Sequence, residues 1–156
     1  MAATPNIWLS QSEKELEKHF GDPSYFVAHI DGAKAVTLRQ FYEEIADVLE
    51  FPVSGYNLDS LNDSLNDLQW LEDEKIVLYI TNTDRWISKE RDPIKLASIL
   101  QILDATAEDW KWAESDELMD RKEFTIVLEY STRIEQVAKT EGMAYGLLSE
   151  RSNKSE

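Results

Sequence analysis

At 156 residues and 42% hydrophobic content, the chain is long enough for one domain with a proper core and too apolar to be disordered. Its 31 acids against 16 bases leave a formal charge of −15, a field that repels nucleic acid and anionic membrane and attracts basic proteins. The absence of cysteine removes disulfides and thiolate metal sites and suits the cytoplasm. The opening MAATPNIWLS lacks the basic region and apolar run of a signal peptide, and no segment has the length of a transmembrane helix.

Residues 1–24 read as an N-terminal arm added to the core. The arm opens on an apolar patch, Ile7-Trp8-Leu9. Ser10 or Ser12 then caps a helix through Phe20, because SQSEKELEKHF begins acidic and ends in Lys18-His19, and Gly21-Asp22-Pro23 stops it. Tyr25 to Ile30, YFVAHI, reads as a strand closed by the turn pair Asp31-Gly32, with a second extended piece at 33–36. Thr37 is an N-cap. Leu38, Phe41, Ile45, Val48 and Leu49 then recur at helical spacing, with Glu43, Glu44 and Asp47 on the other side and Pro52 as the stop.

The stretch from Gly55 to Trp70, GYNLDSLNDSLNDLQW, carries the most information about function. Placed on a helix, Leu58, Leu61, Leu65 and Leu68 fall on one side. Asp59, Asn62, Asp63 and Asn66 fall on the other, with Asp67 and Trp70 at the margin. Asn57 caps the helix and Asp59 sits in its first turn, where the helix dipole favours a carboxylate. Asp59 and Asp63 are one turn apart, a repulsion of about 0.2–0.5 kcal/mol. No Lys or Arg lies between Arg39 and Lys75 to offset it. Such a face is either a solvated surface or one that waits for a cationic partner.

Lys75 to Thr81, KIVLYIT, is an unbroken apolar run suited to a strand covered on both faces. After a polar loop around Trp86, Asp92-Pro93 opens a helix whose buried side is marked by Ile94, Ala97, Leu100 (or Ile99), Leu103 and Ala107. Residues 108–123 form an acidic, Trp-bearing insertion. Phe124 to Tyr130, FTIVLEY, is the third strand, and residues 131–156 hold a short helix and a tail. Trp8 and Trp86 read as packing residues, Trp110 and Trp112 as anchors of the insertion, and Trp70 as partly exposed at an interface. Strand, helix, helix, strand, helix, strand calls for an α/β fold: a small three-stranded, mostly parallel sheet packed with helices.

No catalytic or metal constellation emerges. The two histidines, His19 and His29, belong to no ligand pair, Asp59 and Asp63 alone lack the oxygen count of a calcium site, and the five glycines form no phosphate loop. No cofactor is implied.

Gly55-Tyr56-Asn57-Leu58-Asp59-Ser60-Leu61, followed by Asp63, resembles the Gly-x-Asn-Leu-Asp-x-Leu-x-Asp signature of the barstar family of ribonuclease inhibitors. The element order, Ser98-Ile99-Leu100-Gln101-Ile102 and FTIVLEY extend the resemblance over about residues 25–130, outside the arm, the insertion and the tail. It implies a barstar-like fold and an immunity protein whose acidic helix blocks a basic ribonuclease or related toxin protein. It also implies Asp59 and Asp63 as partner contacts, with Gly55 and Asn57 in the loop before them; Asn62 and Asn66 of the same helical face and Asp104 complete the expected partner-binding set, and no enzymatic activity is expected. Three departures bear on the target. Asn62 stands where the family has an interface tryptophan, the loop Val53-Ser54 is shorter and lacks a contact tyrosine, and the family's contacting glutamate falls on Ala105, beside Asp104. The alternative is an interaction or regulatory module on the same fold that binds a basic protein other than a nuclease.

Overall fold

The computed structural model describes residues 5–52, 55–112 and 122–151. In chain order the elements are β1 (Ile7–Ser10), α1 (Glu13–Phe20), β2 (Tyr25–Asp31), α2 (Leu38–Val48), α3 (Leu58–Leu65), β3 (Lys75–Thr81), α4 (Ile94–Trp112), β4 (Glu123–Glu129), α5 (Thr132–Thr140) and β5 (Tyr145–Leu147). The strands form one sheet in the order β2-β3-β4-β1-β5, with every pairing parallel.

The three apolar runs at the heart of the sequence are neighbours, as their spacing requires. Tyr25 pairs with Lys75, and Lys75 with Glu123, so β2, β3 and β4 start level. Each is joined to the next by helix, the connection that parallel strands need. Alternation along β3 sorts its side chains. Ile76, Leu78 and Ile80 enter the larger core, with Phe41 and Ile45 of α2, Leu61 and Leu65 of α3, Leu100 and Leu103 of α4 and Ile134 of α5. Val77 and Tyr79 face the other way, onto Trp8, Leu16, Phe20 and Leu148. The sheet is thus covered on both faces, which is why β3 reads as an unbroken apolar run.

The sheet has five strands where the sequence suggested three. The added pair frames the chain: Ile7-Trp8-Leu9 pairs with Ile126-Val127-Leu128 on one side and Tyr145-Gly146-Leu147 on the other. The N-terminal segment is therefore built into the sheet, and α1 closes the smaller core behind it. Gly146 is fitted to this arrangement, since a Cβ there would stand 2.7 Å from the Trp8 ring.

The helices begin where their caps predict. Thr37 and Gln40 form a capping box at α2, Ser12 caps α1 and Ser131 caps α5. Two boundaries differ from the sequence reading. Residues 32–34 form a 3-10 turn rather than extended chain, with Asp31 Oδ1 accepting from the Ala33 amide at 2.9 Å. Helix α4 runs on to Trp112, so the first five residues of the expected insertion are its last turns. Most of the rest of that insertion, 113–121, lies outside the described residues, as do Val53 and Ser54. Lys122 is buried, and its Nζ donates to the carbonyls of Leu71 and Asp73 at 2.6 and 2.7 Å. No described helix is long and apolar enough to cross a membrane.

Candidate functional site: the exposed face of α3

Helix α3 is short, and its position is set by contacts at both ends. At its start, Asn57 Oδ1 accepts from the Ser60 amide at 2.8 Å, while Ser60 Oγ accepts from the Gly55 amide at 3.0 Å. A Cβ at Gly55 would lie 2.8 Å from Ser60 Oγ and 2.9 Å from Ser60 Cβ, so the close approach of the loop requires glycine. At its end, Trp110 of α4 donates from Nε1 to the Leu65 carbonyl at 2.9 Å. The chain then reverses through Leu68, a buried residue in the left-handed region at φ 52°. A bulky residue is uncommon in that conformation, and here core burial holds it.

This reversal shortens the helix relative to the sequence reading. Asp67 and Trp70 lie beyond it. Trp70 is half-buried, donates from Nε1 to the Leu49 carbonyl at 2.8 Å and meets the Phe51 ring edge-on at 5.9 Å, so it braces the end of α2.

Leu61 and Leu65 are buried in the large core, whereas Asp59, Asn62, Asp63 and Asn66 are exposed. Asn66 Nδ2 donates to the Asn62 carbonyl at 2.8 Å and to Asn62 Oδ1 at 3.1 Å, which orders the two amides beside the carboxylates. Among the described residues, neither Asp59 nor Asp63 belongs to an ion pair within 4.0 Å. The face therefore presents two carboxylates and two amides on a backbone whose far side is core.

Asp104 is placed elsewhere. Its carbonyl and Oδ1 accept from Asn6 Nδ2 at 3.4 and 3.1 Å, on the flank of α4 that faces β1. Ser98, which borders the start of α3, is six residues earlier and about 120° around the helix. Glu108 joins Asp104, accepting from the same Asn6 amide at 3.0 Å. That bond, then the Trp112 indole and the nearby Lys111 ammonium, hold the Glu108 carboxyl below its ordinary range. Gly55, Asn57, Asp59, Asn62, Asp63 and Asn66 are thus gathered on α3 and the loop before it, and Asp104 stands apart with β1.

His29 is on the opposite side of the sheet from α3. It is exposed, its Nε2 lies 2.9 Å from Thr81 Oγ1, and its ring is 5.2 Å from that of Tyr79. It does not meet Asp59. Among the described residues, no group of three or more His, Asp or Glu side chains is arranged to hold a metal ion.

One feature beside the face has no counterpart in the sequence reading. Leu38 and Arg39 of α2, Tyr56 and Leu58, and Ile94 and Lys95 of α4 enclose an open groove that ends at Asp59. The signal was present only as isolated residues in three separate segments.

A family model described as Barstar (barnase inhibitor) matches residues 25–139, well over half of the chain. No curated protein matches. Two solved structures of the Aeropyrum pernix ORC2 protein are similar in fold. One, of its ADPNP-ADP complexes, superposes with a TM-score of 0.54 at 12% identity and covers 94% of this chain. The other, of its ADP form, gives 0.52 at 11% identity and covers 93%. The chain spans 42% of the length of those proteins. At that identity the likeness is one of fold. The turn between β1 and α1, Ser10-Gln11-Ser12, contains no glycine and no Gly-x-x-x-x-Gly-Lys phosphate loop.

Proposed function

We infer that this chain, which belongs to the barstar family, is an inhibitor that binds a basic ribonuclease and blocks it with the exposed face of α3. The observation that carries the reading is the pairing of Asp59 and Asp63 on a helix fixed at both ends, with no ion-pair partner for either carboxylate among the described residues. A ribonuclease site is cationic because it must hold phosphates. Two carboxylates about one helical turn apart occupy positions where successive anionic groups of RNA would lie. The amides of Asn62 and Asn66 add donors and acceptors beside them.

The net charge of −15 supports the same reading through kinetics. A strongly acidic protein meets a basic partner faster than a neutral one, and close charge pairs then slow release. Because α3 is already ordered, little entropy is lost in presenting the face. The inhibitor does no chemistry; it excludes RNA by occupying its site. Proteins that guard against such a toxin meet it in the cytoplasm, where a chain without cysteine is at no disadvantage.

The test is a ribonuclease inhibition assay with barnase and a panel of basic ribonuclease toxins, preceded by a pull-down with the same panel. The expected result is stoichiometric loss of RNA cleavage for at least one member. Failure against every basic ribonuclease, with capture of a basic protein lacking nuclease activity, would replace the ribonuclease by another target.

A further inference from the structure

Among the described residues, four large apolar side chains are conspicuously exposed, and three of them, Tyr56 (43%), Leu58 (38%) and Ile94 (57%), line the groove beside α3. The groove is open and has a volume of about 720 Å³. Apolar side chains gathered in a rimmed surface depression mark an interaction site more often than scattered ones do. Tyr56 is also held: the Arg39 guanidinium lies over its ring at 3.9 Å. An ordered tyrosine in a recess is the kind of side chain that anchors a protein interface.

Both signs of charge border the groove. Arg39, Lys95 and Asp59 line it, and the Glu90 carboxylate accepts from the Leu38 amide on the same border. Arg39 pairs with Glu43 at 3.4 Å and keeps further guanidinium donors, and Lys95 is exposed. Lys95 belongs to no ion pair within 4.0 Å among the described residues and is the cation that the groove offers to a partner. What suits the groove is an apolar side chain flanked by a carboxylate.

We propose that the groove between α2, α4 and the start of α3 is a second docking element, which receives an apolar residue flanked by a carboxylate from a surface loop of the ribonuclease. The proposal rests on the ribonuclease reading of α3, because Asp59 is common to both surfaces and a partner on one reaches the other. The α3 face meets what all basic ribonucleases share, their phosphate-binding cations. The groove meets what differs among them, a loop outside the RNA site. It is thus the element that selects one ribonuclease from others of equal charge.

The experiment is an NMR amide-shift titration of the full chain with two peptides, acetyl-Glu-Leu-Phe-amide and acetyl-Lys-Leu-Phe-amide. The acidic peptide should shift the amides of Tyr56, Leu58 and Lys95, and the basic one should bind that site about threefold to fivefold more weakly, the scale of an exposed ion pair. Lys95→Glu should reverse the order while preserving the dispersion of the spectrum. In the ribonuclease panel, Ile94→Ser and Lys95→Glu should change the ranking of enzymes inhibited by about tenfold or more, with Asp59 and Asp63 untouched. Equal binding of the two peptides, or shifts confined to Asp63 and Asn66, would overturn the groove. So would a concentration-dependent dimer in analytical ultracentrifugation that Ile94→Ser abolishes, which would make a second copy the occupant. The titration contains no ribonuclease, so the two readings fail separately. Inhibition without peptide shifts removes the groove alone, and peptide shifts without inhibition of any ribonuclease remove the ribonuclease as occupant.

Discussion

Trp110 Nε1 and the Leu65 carbonyl are 2.9 Å apart, and both residues are buried. The bond joins the late turns of α4 to the last residue of α3, so the acidic face is fixed from behind by an aromatic side chain. Trp110→Phe keeps most of the ring and strands the carbonyl, and should cost about 1–3 kcal/mol. Trp110→Ala should cost about 3–5 kcal/mol as a core truncation. Trp112, two residues on, is 76% exposed, and Trp112→Ala should leave stability nearly unchanged. Urea unfolding of the three variants checks this contrast, and equal losses at both positions would contradict it.

The two sides of α3 should separate in the same kind of measurement. Leu65 is fully buried, so Leu65→Ala should lose about 2–5 kcal/mol. Asp63 is exposed with no ion-pair partner among the described residues. Asp63→Ala should therefore change stability by less than about 0.5 kcal/mol, or raise it slightly by relieving the repulsion from Asp59. A variant that unfolds would make the carboxylate a structural group.

Binding should respond in the opposite sense. With a ribonuclease partner in hand, Asp59→Ala and Asp63→Ala should each weaken the complex by about 2–5 kcal/mol, through faster release, because each leaves a desolvated cation unpaired. That range is general for buried charge pairs across protein interfaces, and barnase with barstar is its standard example. Asp63→Asn should lose much of the same energy, since it keeps shape and removes charge. Glu17 is exposed on α1, behind the sheet, so Glu17→Gln should act on association rate only and fade as salt shortens the Debye length. Rates at two salt concentrations distinguish these cases. Wild-type binding by both aspartate variants would leave the family with a shared fold and a different surface.

His19 gives a pH dependence unrelated to binding. Burial, then the charges of Arg151 and Lys18, lower its pKa from 6.5, against a smaller opposing effect of Glu15. The folded chain thus takes up the proton at lower pH than the unfolded chain. Its contribution to stability is complete above about 6.5 and is lost as pH falls toward and through the folded value. His19→Gln should flatten the stability profile in that window, measured by denaturant unfolding at closely spaced pH values. An unchanged slope would place the titration elsewhere.

What could be read from the sequence follows from how local its cause was. β2, β3 and β4 were legible because each is a seven-residue run rich in apolar residues, which in β3 and β4 are mostly buried within the sheet. α2 and α3 were legible because Thr37 and Asn57 mark their starts and the leucine spacing marks their buried sides. β1 and β5 were not, because four and three residues carry no periodicity, and their strand state depends on partners far along the chain. The α3 face was visible as a helical pattern. The position of Asp104 was not, since it depends on Asn6, and the groove was not, since Arg39, Tyr56 and Lys95 meet only through tertiary packing.

The insertion of β1 between β4 and β5 has a consequence for the order of assembly. Ile7 must wait for Ile126 and Tyr145, each over a hundred positions away, before either of its edges is satisfied. β2, β3 and β4 with the helices between them close shorter loops and can condense without it. Joining segments so distant carries the larger chain-entropy cost, and proteins dominated by such contacts fold slowly. On that ground the seating of Trp8 against Gly146 is expected late in folding, and a chain that lacked it would leave β4 open along one edge. An unpaired edge of that kind is where a partly folded chain adds to another copy of itself, so slower seating of β1 is expected to raise aggregation during folding.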